Sequence, residues 1–539
     1  MPLRKYLLVI VIIGAVSLQA GATTWYVAAG GSDANSGTVD SAFATIPKAV
    51  SVSTAGDTIY VRGGHYTLNT SITLSRVGSA ASRYHLYAYP GERPLLDFSA
   101  MAVSSSNRAI KLSGSYWHIR GFDVYKAGDN GMFISGSYNI VEFCSFSENA
   151  DTGLQLGNGA SNNQIINCDS FYNADPGQGN ADGFSPKLDV GSGNYFYGCR
   201  SWQNSDDGWD GYLRGTNGVT TTIENCWCFN NGYLKTGLPS SGNGNGFKMG
   251  GSDTANLEHY MTLKNCLAFD NRVKGFDQNN NRGSMTLLNC TAYRNGTNYS
   301  ISGPIDAGMV LTVKNCVALG PYGSLGSFAV QATNSWMSPF VVDQTDFVSI
   351  DTTGMRGPRK PDGSLPDVTF MHLARGSDLI DAGTDVGLPF NGAAPDLGCF
   401  ESNWPDAVND GGPVPVAFRL EQNYPNPFNP GTLIRYAIPG SMEYGGGNRE
   451  VRLVVYDVLG REVAVLANDS ETPGEHEVFF DGSGLASGVY VYRLEAGSPS
   501  TGSGPRAEPS PSSSLRASTP GKVDGSRGFV QSRKMMLMK

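Results

Sequence analysis

Three carboxylates lie within five residues of the stretch NSDDGWDGY, which runs from Asn204 to Tyr212. They belong to Asp206, Asp207 and Asp210. Because like charges at this spacing repel one another, a folded protein holds them together only where something offsets the repulsion. The stretch therefore indicates a cation site, a catalytic acid/base pair or an acidic turn in solvent. The elements around it must decide among these.

A recurring cysteine phrase indicates the element that carries the acids. Seven of the nine cysteines occupy the third position of a recurring phrase between Cys144 and Cys316. The phrase reads EFCSFSEN, INCDSFYN, YGCRSWQN, ENCWCFNN, KNCLAFDN, LNCTAYRN and KNCVALG. A spacing mostly in the twenties, with short alternating apolar stretches, predicts a solenoid with one coil per repeat. We therefore predict an all-β protein whose main domain is a right-handed parallel β-helix. The cysteines are expected to stack as a buried ladder rather than to form disulfides.

A glycine followed by a large apolar residue sets the register between coils. Aligned on it, the coils read DTGLQ, ADGFS, DDGWD, NGNGFK and VKGFD. The apolar residues should point inward, and they are Leu154, Phe184, Trp209, Phe247 and Phe276. The next residue in each coil points outward because side chains alternate along a strand. That outward column is Gln155, Ser185, Asp210, Lys248 and Asp277. The column before the glycine is Thr152, Asp182, Asp207, Asn245 and Lys274.

Stacking these coils at the usual inter-strand spacing of about 4.8 Å gathers four acids. Asp182 lies against Asp207, with Asp206 and Asp210 alongside, and Lys248 falls one coil beyond Asp210. In this alignment the carboxylates have no basic residue among them, which favours a hard cation. Ca²⁺ fits best because it accepts roughly six to eight oxygens in loose geometry. Zinc would require His or Cys ligands, which the alignment does not place there.

Other interpretations of this cluster stay open. A calcium ion could stabilise the coil without taking part in chemistry, and Lys248 could be an ordinary ion-pair partner of the acids. A carboxylate pair could also hydrolyse glycosides. A lysine beside a divalent cation has a further use on a polyuronate. The cation polarises the sugar carboxylate and acidifies the C5 proton, and a neutral amine removes that proton. The bond between C4 and its oxygen then breaks by β-elimination.

The sequence around the cluster resembles polysaccharide lyase family 9, which comprises β-helix pectate lyases and relatives. The resemblance is carried by NADGFSPKLDVGSGNYFYGCRSWQNSDDGWDGY, NGNGFKMGG and KGFDQNN, and it extends over roughly Thr24 to Glu401. It implies Lys248 as the catalytic base and four calcium ligands, which are Asp182, Asp206, Asp207 and Asp210. The implied activity is calcium-dependent cleavage of pectate (polygalacturonate), or of rhamnogalacturonan, by β-elimination. Either substrate is an acidic plant cell-wall polysaccharide.

Four further basic residues are weaker candidates for binding uronate carboxylates: Lys187, Arg214, Lys274 and Arg282. Each could equally be solvated or paired within a ladder. Tyr212 could contact a sugar face, and Trp209 is expected to fill the core. A non-catalytic β-helix that binds calcium or polysaccharide is an alternative, as is a hydrolase of the polygalacturonase type. The His and Arg-x-Lys signals of that hydrolase do not accompany the acid cluster.

The N-terminal residues and the overall charge indicate an exported protein. Residues 1–22 combine Arg4 and Lys5 with an apolar run and a small-residue cleavage site, and this pattern predicts a signal peptide. The formal net charge of −9 argues against nucleic-acid binding. Calcium would bridge this acidic protein to an acidic polymer. We expect a secreted or cell-surface monomer.

The remaining residues divide into a catalytic domain and a small C-terminal domain. We predict the β-helix over 23–402, with the helix of FATIPKAVSVS covering its first coil, and a Pro/Gly-rich linker over 403–416. Alternating strands over 417–539 predict an Ig-like β-sandwich. This segment resembles the sorting domain of type IX secretion, which implies the export machinery as a partner. A carbohydrate-binding module is the alternative. A low-complexity insert near 497–527 is expected to be disordered.

Overall fold

The computed structural model describes residues 22–402, 417–424, 426–428, 431–439, 449–471, 473–482, 484–499 and 529–537. They form two units, one ending at Ser402 and the other beginning at Ala417. The predicted signal peptide, apart from Ala22, and the predicted linker lie outside the described residues. Within the described ranges, no helix has the length and apolar character needed to cross a bilayer.

Three parallel sheets wind around the first unit. The first sheet contains β1 (Thr24–Val27), β2 (Thr58–Val61), β5 (Tyr84–Ala88), β8 (Trp117–Arg120), β11 (Ile140–Glu142), β14 (Gln164–Ile166), β17 (Asn194–Tyr197), β20 (Val219–Glu224), β23 (His259–Lys264), β26 (Met285–Leu288), β29 (Leu311–Lys314) and β32 (Val330–Ala332). The second, here called the groove sheet, contains β4 (Ile72–Leu74), β7 (Ile110–Leu112), β10 (Met132–Ile134), β13 (Leu154–Leu156), β16 (Phe184–Pro186), β19 (Trp209–Asp210), β22 (Phe247–Lys248), β25 (Lys274–Asp277), β28 (Thr297–Ile301) and β31 (Gly323–Leu325). The third contains β3 (Gly64–Thr67), β6 (Pro94–Asp97), β9 (Asp123–Tyr125), β12 (Ser145–Ser147), β15 (Asp169–Phe171), β18 (Arg200–Trp202), β21 (Trp227–Phe229), β24 (Leu267–Phe269), β27 (Thr291–Tyr293) and β30 (Val317–Leu319). The prediction of a right-handed parallel β-helix is confirmed.

A short helix covers the open end of the first coil. Helix α1 (Ile46–Val52) begins after Thr45, whose side chain accepts a hydrogen bond from the Lys48 amide. This N-cap satisfies one of the amides that a helix start leaves without a partner. The helix buries Ile46 and Ala49 against the core. It forms where the sequence predicted it and keeps the apolar end of the solenoid out of water.

Columns of identical or similar side chains hold the coils in register. All nine cysteines fall in the described part of the chain, and each is buried and free of disulfides, so the predicted ladder is confirmed. The glycine of the Gly-aromatic phrase is explained by packing. A Cβ at Gly208 would lie 1.9 Å from the Sγ of Cys228, and one at Gly183 would lie 2.1 Å from the Oγ of Ser201. Any larger residue would therefore force the coil apart.

An asparagine ladder accompanies the third sheet. Its members close the cysteine phrases, and they are Asn149, Asn173, Asn204, Asn231, Asn271 and Asn295. The Oδ1 of Asn204, for example, accepts from both the backbone amide and the Nδ2 of Asn173. Each turn therefore satisfies its buried polar groups by bonding to the next coil.

The stretch that follows the last coil folds back along the helix. It contains one short 3₁₀ helix, η1 (Gln344–Asp346), and is otherwise irregular. Arg359 reaches Asp169 on β15 with an Nη2–Oδ1 distance of 2.7 Å. Arg200 donates to the carbonyl oxygens of Met355 and Gly357. Buried, charge-assisted contacts therefore fix a segment that lacks regular structure.

The second unit is a pair of antiparallel sheets. One contains β33 (Arg419–Leu420), β34 (Gly431–Ile438) and β37 (Gly474–Asp481), and the other contains β35 (Arg449–Tyr456), β36 (Glu462–Glu471), β38 (Gly488–Pro499) and β39 (Phe529–Leu537). Leu453, Tyr492 and Ile434 are among the residues of its core. The predicted β-sandwich is confirmed. Strands β38 and β39 pair from Gly488 with Leu537 to Ala496 with Phe529. The hairpin therefore closes across the predicted insert, which beyond Pro499 lies outside the described residues.

Candidate active site and metal centre

The groove sheet aligns the coils as the glycine phrase predicted. Phe184 pairs with Trp209, Trp209 with Phe247, and Asp210 with Lys248. The rings stack inside the solenoid with centroid separations of 4.8 Å for Phe184 and Trp209 and 4.9 Å for Trp209 and Phe247. Trp209 is 0% exposed, which confirms its place in the core. The residue after each ring therefore points to the outer face, where the chemistry lies.

Three of the four predicted acids converge on one point of this face. Asp182, Asp207 and Asp210 are buried, and each can place a carboxylate oxygen within 4.8 Å of the others. Asp206 lies beside them, but its Oδ1 accepts a hydrogen bond from the Asn243 amide, which draws it toward the loop before β22. The structure therefore places Asp206 at the edge of the cluster.

Lys248 lies next to the acids, one coil beyond Asp210. Its Nζ is 3.1 Å from the Oδ2 of Asp207 and 3.3 Å from the Oδ1 of Asp210. The side chain is 8% exposed. The ammonium group also lies 5.5 Å from the ring centroid of Tyr212, at the rim of the groove. These contacts fix the amine at the boundary between the cluster and the open groove.

The expectation that no basic residue lies among the carboxylates was wrong. Lys187 follows β16, and its Nζ reaches back to 2.7 Å from the Oδ2 of Asp182 and 3.5 Å from the Oδ2 of Asp210. Asp210 is therefore bracketed by two lysines, with one oxygen facing each. The alignment missed this contact because it compared residues at one register position. Lys187 lies three residues after Phe184 and approaches along the strand direction.

Charge in the cluster is balanced only in part. Burial raises the pKa of Asp206, and the charges of Asp207 and Asp182 add to it, to about 9. Burial also raises the pKa of Asp207, against the pull of Lys248, to about 7. Burial opposes ionisation of Asp210 too, but Lys248 and Lys187 outweigh it and lower the pKa of Asp210. Four carboxylates and two ammonium groups sum to a charge of −2 when all are ionised. One divalent cation would cancel it.

The neighbouring carboxylates raise the pKa of both lysines. Burial alone would lower the pKa of Lys248, but the carboxylates of Asp210 and Asp207 more than compensate and raise it. Lys187 follows the same pattern, with Asp182 and Asp210 outweighing burial and raising its pKa. Both amines are therefore held as cations while the acids keep their charge. A divalent cation bound by the acids would weaken that hold.

The donor set fits a calcium ion. Oxygens bound to one Ca²⁺ at about 2.3–2.6 Å lie at most about 5 Å apart, which the separation in this cluster satisfies. Every candidate ligand is a carboxylate, the donor that hard cations prefer. Apart from the Lys248 ammonium 3.1 Å away, the buried Oδ2 of Asp207 has no hydrogen-bond partner among the described residues. An oxygen in this condition has a free lone pair for a metal.

The other predicted basic residues lie at different places. Arg214 lines the groove beside Lys248 and pairs with Asp253 at 2.8 Å. Lys274 pairs with Asp277 at 2.9 Å, and Arg282 pairs with Asp306. Neither Lys274 nor Arg282 lines the groove cavity among the described residues. Arg282 therefore pairs with the following coil, as in the ladder-pairing alternative, Lys274 pairs within its own strand β25, and Arg214 lines the groove.

A cavity of about 360 Å³ joins the cluster to residues that were not among the predicted site residues. These include Arg108, Asp129, Asp151 and Gln155, on coils before the acids. Asp129 and Asp151 each stand two residues before a glycine, at the same offset as Asp206. The aligned phrase DTGLQ includes Asp151, whereas the coil of Asp129, DNGMF, lies outside the aligned phrases. Arg108 belongs to a coil without the glycine, and no motif marked it.

Both units of the chain match known protein families. The family model of the Pel9A-like, right-handed β-helix region matches residues 25–315, and that of the secretion-system C-terminal sorting domain matches residues 422–503. Pectate lyase L of Dickeya chrysanthemi is 37% identical over 402 residues, covering 72% of this chain and 93% of the relative.

Two solved structures match the first unit. The crystal structure of pectate lyase Pel9A is 35% identical with a TM-score of 0.66, covering 71% of this chain and 97% of the other. A rhamnogalacturonan lyase is 29% identical with a TM-score of 0.59, covering 66% of this chain and 97% of the other. Both matches exceed the likeness that a shared fold alone produces.

Proposed function

The chain belongs to the Pel9A-like right-handed β-helix family and is a polysaccharide lyase with a C-terminal sorting domain, and from this premise we propose that it cleaves pectate by calcium-dependent β-elimination. The observation that carries the proposal is the place of Lys248. Its amine lies 3.1 Å from Asp207 and 3.3 Å from Asp210, at the wall of an open groove. An acid cluster and an amine in this contact suit proton abstraction beside a substrate carboxylate.

Asp182, Asp207 and Asp210 would hold the calcium ion, with Asp206 completing the set from the edge of the cluster. When bound, calcium polarises the uronate carboxylate and makes the neighbouring C5 proton more acidic. The protein's part is to keep four acids on one face in spite of their repulsion. Stacking of rigid coils provides this, since the positions of Asp182 and Asp207 are fixed by the ladder of backbone bonds around Gly183 and Gly208.

Lys248 acts as the base in this proposal. The Nζ atom accepts the C5 proton, electrons from the broken C5–H bond form the C4=C5 double bond, and the bond between C4 and the glycosidic oxygen breaks. That oxygen leaves as a hydroxyl after taking a proton from solvent. Lys248 must be neutral to accept a proton, so neutralisation of the acids that raise its pKa is required.

Lys187 has a different part. It contacts Asp182 and Asp210 from the side away from Lys248, and its side chain is 8% exposed. We assign it to orienting these acids, because binding a substrate carboxylate would require the amine to leave them. Lys187 therefore serves as the matched control for Lys248, because both are buried lysines paired with the same acid.

A second substrate is supported by one observation. The rhamnogalacturonan lyase structure covers 66% of the chain at 29% identity, against 71% at 35% for Pel9A. Rhamnogalacturonan also contains uronate residues, so the chemistry at Lys248 would be unchanged. The choice between the substrates depends on the neutral sugars that the groove accepts.

We further propose a two-stage export route. Residues 1–22 would direct the chain across the inner membrane as a signal peptide, and the sorting domain would then engage the type IX machinery. The enzyme would act outside the cell, as a secreted or surface-held monomer. An extracellular location would let the enzyme reach a polysaccharide that is too large to enter the cell.

The activity is tested by incubating the purified protein with polygalacturonate, with calcium or with chelator, and following ultraviolet absorbance of the unsaturated product. Calcium-dependent growth of that absorbance is expected. Product formation only from rhamnogalacturonan would replace the substrate and keep the mechanism. Saturated products that form equally in chelator would contradict it and indicate a hydrolase. Calcium binding without any product would indicate a binding protein.

A further inference from the structure

The groove continues past the carboxylates toward the N-terminal coils. Its far end is lined by Arg108, Asp129 and Gln155, and a second cavity of about 430 Å³ shares Arg108, Gln155 and Arg214 with it. Arg108 precedes β7, three strands away from β16 in the groove sheet. At about 4.8 Å per strand, Arg108 lies about 14 Å along the groove from the coil of Asp182. A polymer that occupies the cluster would extend over this stretch.

Arg108 is held in one orientation by two neighbours. Its Nε donates to the Oδ2 of Asp129 at 3.1 Å, and its guanidinium carbon lies 3.6 Å from the ring centroid of Phe133. Phe133 is 7% exposed, so this surface is fixed. Salt bridge and ring together set the plane of the guanidinium before any ligand arrives. Such preorganisation lowers the cost of forming a forked contact with a carboxylate.

The terminal nitrogens of Arg108 are free for a ligand. Nη1 and Nη2 donate to no residue in the described part of the chain, and the side chain is 30% exposed at the cavity wall. Asp129 is 9% exposed at its side chain and is already paired through Nε. The two outer NH₂ groups therefore present a positively charged, oriented pair of donors to the groove.

Gln155 adds a second donor next to Arg108. It is 6% exposed, and its Oε1 accepts from Asn130 at 3.2 Å. Its Nε2 donates to no described residue, although Gln155 lines both cavities. A nearly buried amide that lacks an acceptor favours a ligand that supplies one. Arg108 and Gln155 thus favour the same kind of ligand group.

We propose that Arg108, held by Asp129 and Phe133, forms a distal subsite that binds the carboxylate of a uronate residue of the polysaccharide, with Gln155 donating beside it. The identity of the ligand rests on the proposed function, whereas the donor geometry does not. This subsite favours long chains with free carboxylates, because a methyl ester carries no charge and a disaccharide cannot span the distance from the acid cluster. Arg108 is then a residue that determines specificity.

Binding of galacturonate oligomers tests the subsite without turnover. The full-length Lys248→Gln protein, with calcium present, is titrated by calorimetry with oligomers from the disaccharide to the octasaccharide. Adding Arg108→Gln is expected to weaken binding of the long oligomers about tenfold and to leave disaccharide binding unchanged, as loss of a charge-assisted contact predicts. Adding Arg108→Lys, which keeps the charge without the fork, should lose part of this affinity.

Arg120 provides a matched control on another face. It is also exposed, its guanidinium lies 4.7 Å from the ring centroid of Phe143, and its Nε is 3.7 Å from Glu142. Adding Arg120→Gln should leave every affinity unchanged. An equal loss at all chain lengths, or no loss at any length, would overturn the subsite alone. Failure of the Lys248→Gln protein to bind any oligomer would overturn both the subsite and the proposed substrate.

Discussion

Two columns of side chains cross the strands of the groove sheet, one on its inner face and one on its outer face. They differ in how far the residue type is kept from coil to coil. The inner column holds Leu154, Phe184, Trp209, Phe247, Phe276 and Tyr299, with neighbouring rings 4.8–5.2 Å apart. The outer column holds Gln155, Ser185, Asp210, Lys248, Asp277 and Ser300. The inner column keeps one kind of contact from coil to coil, whereas the outer one changes charge at nearly every step.

The difference shows how a solenoid separates stability from chemistry. Inside, each coil offers the next an apolar surface of the same shape, and the gain adds up along the stack. Outside, the same spacing brings unlike groups into contact, so Asp210 meets Lys248 in the next coil. A substitution in the inner column should therefore act on folding, and one in the outer column should act on binding or catalysis.

The largest expected effect on folding comes from Trp209→Ala. Trp209 is 0% exposed between Phe184 and Phe247, and its truncation leaves a cavity in the ring stack. The free energy of unfolding should fall by about 3–5 kcal/mol, measured by denaturant titration. Ser300→Ala, on the outer column, is the control and should change it by less than about 0.5 kcal/mol. Equal effects of the two changes would refute the division between the columns.

Asp207→Asn should act on the cation while leaving the coil intact. The substitution keeps the size of the side chain but removes a charge from the cluster that balances Lys248. We expect calcium affinity to fall by about 100-fold or more, measured by calorimetry, because removing a ligand costs at least as much as losing a second-shell partner. Asp253→Asn is the control, since that acid is exposed and pairs with Arg214. Unchanged calcium affinity in Asp207→Asn would place the metal elsewhere.

A smaller effect, on the pH dependence of stability, is expected from His259 behind the groove. Burial lowers the pKa of His259 to about 4, and its ring nitrogens contact the Gly211 carbonyl oxygen and Thr221. An unfolded histidine titrates near 6.5, so between these values the unfolded chain binds more protons and stability rises with pH. Acidifying from pH 7 to pH 5 should cost about 2 kcal/mol through this residue.

His259→Gln isolates that contribution. The variant should lose less stability than the native protein over the same pH interval, as measured by denaturant titration at both ends. Its lower starting stability does not matter, because the comparison concerns the slope. Identical slopes would mean that the histidine is not the buried neutral group described here.

Local sequence patterns predicted the parts of the molecule that repeat. The glycine phrase gave the pairing of Phe184 with Trp209 and of Asp210 with Lys248, because a parallel stack leaves one register for each coil. From these pairs the gathering of Asp182, Asp207 and Asp210 followed. Period and alternation are properties of neighbouring residues, so a single sequence contains them.

Contacts outside the repeat could not be predicted in the same way. Lys187 reaches the acids along the strand direction, and a column alignment holds no information on that reach. Arg359 returns to Asp169 from an irregular segment, across 190 residues of chain. Asp206 turns toward Asn243 because a loop of the next coil approaches it. Each depends on side-chain length or loop path, which are settled only in three dimensions.

Chemical rescue with amines tests whether Lys248 is the base. Product formation from polygalacturonate with calcium is measured for Lys248→Ala with and without added primary alkylamines, beside Lys187→Ala. We expect Lys248→Ala to lose roughly 10²–10⁴-fold in rate, to melt at nearly the native temperature, and to regain activity with amines in order of their basicity. Lys187→Ala should gain nothing from any amine. Retention of activity by Lys248→Ala, or amine rescue of Lys187→Ala instead, would contradict the assignment.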